Sequence, residues 1–207
     1  MPMTDDIASD MQIRGPAEHA VRDQIIEAAG TCFAHYGYTK TTVADLARNI
    51  GFSKAYIYRF FESKQAIGEA ICAAKLAGII TGVRAAMDGG KSPTDRFRRM
   101  FRSITTQTVE MLFNETKMYE IAEMASLQHW ESAKAYEAVL RSMVEMIVRD
   151  GREVGEFERK TPLDETCRAI YYAMTPFVDP IHIQRNLDLM PDAQNEVTGL
   201  ILRSLAP

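Results

Sequence analysis

Disulfide scaffolds, metal centres and membrane spans all lack their raw material in this chain. Three cysteines in 207 residues, Cys32, Cys72 and Cys167, are odd in number, widely spaced and without a CxxC pair, so neither a disulfide framework nor a zinc site is expected. Each lies in a helical-looking run and reads as a small buried hydrophobe in a reducing compartment. His19, His35, His129 and His182 show no ligand-like spacing, so no metal is expected. No uncharged apolar stretch approaches the ~18 residues of a membrane span, and the acidic start Met1-Pro2-Met3-Thr4-Asp5-Asp6 is no signal peptide. A cytoplasmic protein is expected. Convincing period-2 strands, internal repeats and low-complexity tracts are missing as well. So are a nucleophile elbow, a phosphate loop and paired carboxylates; no catalytic residue and no cofactor is assigned.

Positive charge is also in short supply, with 24 Lys and Arg against 28 Asp and Glu for a net of −4. On that total a polyanion partner is disfavoured, but the distribution is uneven. Residues 1–13 carry three acids and no base. Residues 14–64 carry seven bases, Arg14, Arg22, Lys40, Arg48, Lys54, Arg59 and Lys64, against five acids. The remainder holds 17 bases and 20 acids. One end of the molecule is therefore basic.

Helix is what the sequence has in abundance. Val21, Ile25, Ala28, Ala29, Cys32, Phe33 and Tyr36 recur at spacings of three and four, predicting a helix over 16–36 ended by Gly37. Thr41 or Thr42 can cap a short helix carrying Val43, Leu46 and Ala47, with Asp45 completing a capping box on Thr42. Ile50-Gly51-Phe52 breaks it, Ser53 caps a second short helix to about Phe60, and Ser63 opens a longer one that runs to Gly89-Gly90. Pro93 starts a helix with Phe97, Met100, Phe101, Ile104, Thr108, Met111 and Leu112 on one side. Further segments are expected at 115–128, at 131–150 ending at Gly151, and at 162–178. That last helix has Thr161 as cap and Pro162 in its first turn, and Pro180 stops it. A final helix is expected at 191–205. The fold class is all-α: a tail over 1–15, a three-helix head over 16–64 and a larger bundle over 65–207.

Short helix, glycine turn, short helix is the helix-turn-helix pattern, whose second helix enters the major groove of DNA. Val43, Leu46, Ile50 and Ile57 can hold the two helices together, leaving Ser53, Lys54, Tyr56 and Arg59 on the free face. Residues 37–67, GYTKTTVADLARNIGFSKAYIYRFFESKQAI, resemble the DNA-binding domain of TetR-family transcriptional regulators. Gly37, Thr41, Thr42, Val43, Leu46, Ala47, Gly51, Ser53, Ile57, Tyr58, Phe61, Ser63 and Lys64 carry the match. Ala55, Tyr56, Phe60 and Gln65 depart from it, and the bulk of Tyr56 bears on which operator is read.

That resemblance implies a function and a set of roles. The chain would be a homodimeric regulator, a repressor released from a palindromic double-stranded DNA operator by a small-molecule effector. Thr42, Tyr58 and Lys64 would bind phosphate, and Lys54, Tyr56 and Arg59 would lie nearest the base edges, with Lys40, Thr41 and Ser53 beside them. The two C-terminal helices would pair with their copies across a two-fold axis. An apolar or aromatic effector would sit in the region of Phe101, Ile104, Met111, Met118, Tyr119, Met124, Trp130, Tyr136, Met143, Tyr171, Met174 and Phe177, whose thioethers and rings suit a permissive pocket. The same side chains also suit the plain interior of a bundle. Arg96, Arg98, Arg99 and Arg102 form a basic cluster that needs no more than solvent. The rival readings are a ligand-binding bundle whose helix-turn-helix no longer reads DNA, and a helical enzyme.

Overall fold

The structure, a computed structural model, describes residues 16–207; the tail expected over 1–15 lies outside them. Ten α-helices follow one another: α1 (Pro16–Tyr36), α2 (Val43–Ile50), α3 (Lys54–Tyr58), α4 (Lys64–Asp88), α5 (Pro93–Asn114), α6 (Thr116–Leu127), α7 (Glu131–Glu153), α8 (Leu163–Met174), α9 (Pro180–Arg185) and α10 (Asp192–Ser204). Among the described residues there is no strand. The all-α expectation holds.

Local chemistry starts the early helices. Thr42 accepts from the Asp45 backbone N–H (3.2 Å), and the Asp45 carboxylate accepts from the Thr42 N–H (3.0 Å), closing the expected capping box. Hydrogen bonding to Thr42, through its hydroxyl first and then its N–H, holds the Asp45 carboxyl below the usual carboxylate range. Ser53, Ser63 and Ser92 likewise accept from the N–H three residues on, at 3.0–3.2 Å. Gly51 ends α2 in the left-handed region, at φ +77°, where a side chain would be strained.

Two hydrophobic cores result, joined by α4. One gathers Ile25, Phe33, Leu46, Ile57, Ile67 and Ile71, together with Met118, Ile121, Ala125 and Trp130 from α6 and the start of α7. The other takes Ile79, Ile80 and Val83 of α4 with Phe97, Phe101, Ile104, Val144, Ile147 and Met174. The length and apolar content of α4 match those of a membrane span. It nevertheless carries Glu69 and Lys75 and buries its isoleucines in both cores, packing chiefly on α5 and α7.

Three sequence expectations are corrected in the second half. Gly151 does not end α7, which continues to Glu153. Its hydrogen side faces the buried Phe157 ring, which a Cβ would overlap. The helix stops instead at Gly155 (φ +79°), where Glu156 N–H reaches Gly151 O (2.9 Å) and Gly155 N–H reaches Arg152 O (3.3 Å), a Schellman closure. Pro162, not Thr161, occupies the position before α8, without a side-chain cap. And α8 gives way at Met174 to a 3-10 turn over Thr175–Phe177; Pro180 stops nothing but opens α9, capped by Asp179. A first-turn proline and a stop proline look alike in sequence, because both lie beside a helix end.

Candidate DNA-reading face and ligand cavity

Buried Val43, Leu46, Ala47 and Ile57 lock α2 and α3 against α1, with Ile50 half-buried beside them. Ser53, Lys54, Tyr58 and Arg59 are left exposed on α3 and its ends, and Lys40 and Thr42 are exposed just before α2. Tyr58 keeps 43% of its surface free. The Lys54 ammonium lies 5.7 Å from the Tyr58 ring centre, and the Arg59 guanidinium lies 5.5 Å from that of Tyr56. Among the described residues neither cation has a carboxylate within ion-pair distance. Tyr56 is half-buried, edge-on between Phe52 (5.0 Å) and Phe60 (5.3 Å), so its ring is held in place by neighbours on both sides.

Two of the candidate contact residues are placed differently. Thr41 is 2% exposed and its hydroxyl donates to Gly37 O at 2.7 Å, so it is turned away from any surface. Only one of two adjacent threonines can cap a helix, and the residue before the cap enters toward the fourth helical position, here the buried Leu46. Lys64 is half-buried; its ammonium donates to Tyr38 O (3.1 Å) and Thr41 O (3.2 Å) and sits 4.5 Å from the Tyr38 ring centre. It ties the loop before α2 to the first turn of α4, with one donor to spare.

A cavity of about 250 Å³ lies among α4, α5, α6, α7, α8 and the segment that follows α8. Of the twelve pocket candidates Met111, Tyr136 and Tyr171 line it. The other nine do not. Phe101, Ile104, Met143, Met174 and Phe177 are buried in the α4–α8 core, while Met118 and Trp130 are buried in the head core and Met124 packs on it. Tyr119 is buried with its hydroxyl donating to Pro180 O. Large side chains fill space; a hollow is marked by small ones, here Ala122, Ala125 and Ala133, facing Cys72, Leu76 and Ile79 of α4. Those small residues were the signal in the sequence, and it is a faint one.

Polar groups around the cavity are mostly committed to the protein. Thr108 and Thr175 hydroxyls donate to Ile104 O (2.9 Å) and Tyr171 O (3.1 Å). Ser126 donates to the Asp179 carboxylate at 2.7 Å. Burial pushes the Asp179 carboxyl up, but hydrogen bonds from Ser126 and His182 outweigh it and hold the group below the usual range. Arg141 donates to Glu137 (3.3 Å) and stacks on the Tyr171 ring at 4.3 Å. Burial, aided by Glu137, leaves the Tyr171 phenol pushed up to about 12. Among the described residues no cluster of His, Cys, Asp and Glu could hold a metal.

Two family models match this chain: bacterial regulatory proteins of the tetR family over residues 25–71, and the tetracyclin repressor-like C-terminal domain over residues 93–197. The chain belongs to the TetR family of transcriptional regulators. Regulators of this family bind DNA operators and small-molecule effectors and dimerise. The HTH-type transcriptional repressor KstR2 of Mycolicibacterium smegmatis is 24% identical over 151 residues, 72% of this chain and 73% of that one. The repressor Rv1474c of Mycobacterium tuberculosis is 46% identical over 48 residues, 23% of this chain and 26% of that protein. Among solved structures, the fatty acid degradation regulator FadR from Bacillus halodurans superposes with a TM-score of 0.65 at 18% identity, covering 92% of this chain and 97% of its own. That likeness shows that the two chains share one fold over most of their length.

Proposed function

We propose that this TetR-family regulator is a cytoplasmic homodimeric repressor that leaves a palindromic operator when a small molecule fills the cavity. The observation that carries the DNA half is the exposed α3 face, where Lys54 and Arg59 stand over aromatic rings and, among the described residues, have no carboxylate within ion-pair distance. Lys54, Tyr56 and Arg59 read base edges, and Lys40, Thr42, Ser53, Tyr58 and the spare donor of Lys64 hold phosphates. A net charge of −4 keeps non-specific attraction modest, so specificity comes from two heads about 34 Å apart, or a small multiple of that.

Dimerisation through α8 and α10 agrees with their exposed apolar side chains, Tyr172 at 63% and Leu200 at 60%. Coupling between cavity and head runs through α6, whose Ala125 both lines the cavity and belongs to the head core. An effector works by fitting one head spacing better than the other. Gel-shift titration with DNA from upstream of the coding region tests this. Specific binding to a palindrome, falling steeply with salt and flattened by about two slope units in Lys40→Ala (one per subunit), is expected. Equal, weak binding to all DNA would favour a bundle that no longer reads sequence. An effector that saturates the cavity without changing operator affinity would end the release model.

A further inference from the structure

Aromatic rings recur at every fourth residue across the reading helix: Phe52, Tyr56 and Phe60. That spacing sets them in one row along a helical face, and Arg59, three residues after Tyr56, joins the same side. Phe52 and Phe60 are half-buried and pack on the head core. Tyr56 stands edge-on between them, 5.0 Å and 79° from Phe52 and 5.3 Å and 73° from Phe60, a geometry that aromatic pairs favour. The Arg59 guanidinium lies over the Tyr56 ring at 5.5 Å. The backbone beneath is held as well: Arg59 N–H donates to Tyr56 O at 3.2 Å, and Phe60 N–H to Ile57 O at 2.9 Å.

The exposed cations of this face, Lys40, Lys54 and Arg59, are not equivalent. An ammonium is a point charge whose donors turn freely, and it serves a phosphate as well as a base. A guanidinium is a planar fork, and the base edge that accepts two hydrogen bonds from it is guanine, through O6 and N7 in the major groove. Adenine keeps N7 but puts a donor where O6 would be. A wandering arginine gives up rotamer freedom to reach that geometry, whereas one already seated on an aromatic face gives up less. Among the described residues no carboxylate lies within ion-pair distance of Arg59, so none competes with a base for the fork.

We propose that Arg59 reads a guanine in each half of the operator, and that Tyr56, clamped by Phe52 and Phe60, is the positioning residue that presents its fork. This rests on α3 being the DNA-reading helix, and it adds which base that helix demands and what makes the demand strict. Tyr56 acts through its ring and not through its hydroxyl.

Selection of the full chain on a random-sequence duplex library, with the enriched pool sequenced, tests it. Expected is a palindromic consensus with a guanine at one fixed place in each half-site. On the enriched duplex, exchanging that G·C pair for A·T in one half-site should weaken binding roughly 5- to 150-fold. Arg59→Lys keeps the charge without the fork; it should lose most of that discrimination while the salt dependence of binding stays as in the parent. Tyr56→Leu should lower the discrimination about two- to fivefold, and Tyr56→Phe should retain it. Phe60→Leu, which loosens the clamp but keeps the Tyr56 ring, should lower it in the same direction; this variant decides the platform role if Tyr56→Leu fails to fold. A consensus without that guanine would overturn the proposal. So would an Arg59→Lys chain that tells G·C from A·T as the parent does, loss of the preference in Tyr56→Phe, or its full retention in both Tyr56→Leu and Phe60→Leu. Each of those results leaves α3 as the reader. A pool that enriches no sequence would sink the DNA-reading function itself, and this assignment with it.

Discussion

The two short helices of the head, and the helix that leaves it, begin at residues that cap them, and most helices in the body do not. Thr42, Ser53 and Ser63 each hold an N–H of the first turn, whereas α6, α7, α8 and α10 start after Glu115, Trp130, Pro162 and Pro191 with no side-chain cap. The head has few residues with which to bury α2 and α3, so its short helices depend on interactions made within one turn. Long body helices are fixed by packing along their length, and their ends fall where neighbours allow. Short-range chemistry governs one region and long-range packing the other.

That contrast makes quantitative demands, the largest at the seam. Trp130→Ala removes a buried indole from the head core, and denaturant titration should show a loss of about 3–5 kcal/mol. Gly151→Ala pushes a methyl into Phe157 and should cost about 1–3 kcal/mol, while operator affinity measured well below the melting temperature stays unchanged. Thr42→Ala should cost about 1 kcal/mol at neutral pH. Because the Asp45 carboxyl lies below its ordinary value, its half of the capping box contributes fully above the usual range near pH 4. That contribution fades as pH falls through the lowered value, so the Thr42→Ala deficit should shrink in acid. Arg102→Ala should stay within about 0.5 kcal/mol of the parent, with operator affinity unaltered, because Arg96 and Arg99 of the same cluster already pair with Asp150 and Asp95. A Thr42→Ala variant that costs more than Trp130→Ala would reverse the ranking of local and long-range terms.

The same division decides how much the sequence discloses. Thr42, Gly51, Ser53, Ser63 and Pro93 announce their helix ends directly, because the atoms that cap or break a helix are three or four residues apart. Gly151 misleads because its reason is Phe157, which packs on it through a loop that sequence spacing does not describe. Thr41 shares the chemistry of Thr42 and differs only in the direction in which the chain enters the helix. Among the pocket candidates, bulk points to the core more often than to the hollow: Phe101 and Met174 are fully buried, while the cavity depends on Ala122 and Ala133. The Tyr136 hydroxyl, buried with no partner among the described residues, has no sequence signature at all, since it is defined by what fails to lie near it.

Trp130, 2% exposed, is the single tryptophan of the chain. Its indole N–H donates to Gln128 at 2.9 Å, and its ring lies edge-on to Tyr38 at 5.8 Å. All intrinsic indole fluorescence therefore comes from one point, where the start of α7 meets the head. A head that moves with α6 as one body would leave that emission unchanged on effector binding. A head that shears past α6 would shift its colour and lifetime, so the protein carries its own optical gauge of how its two cores move.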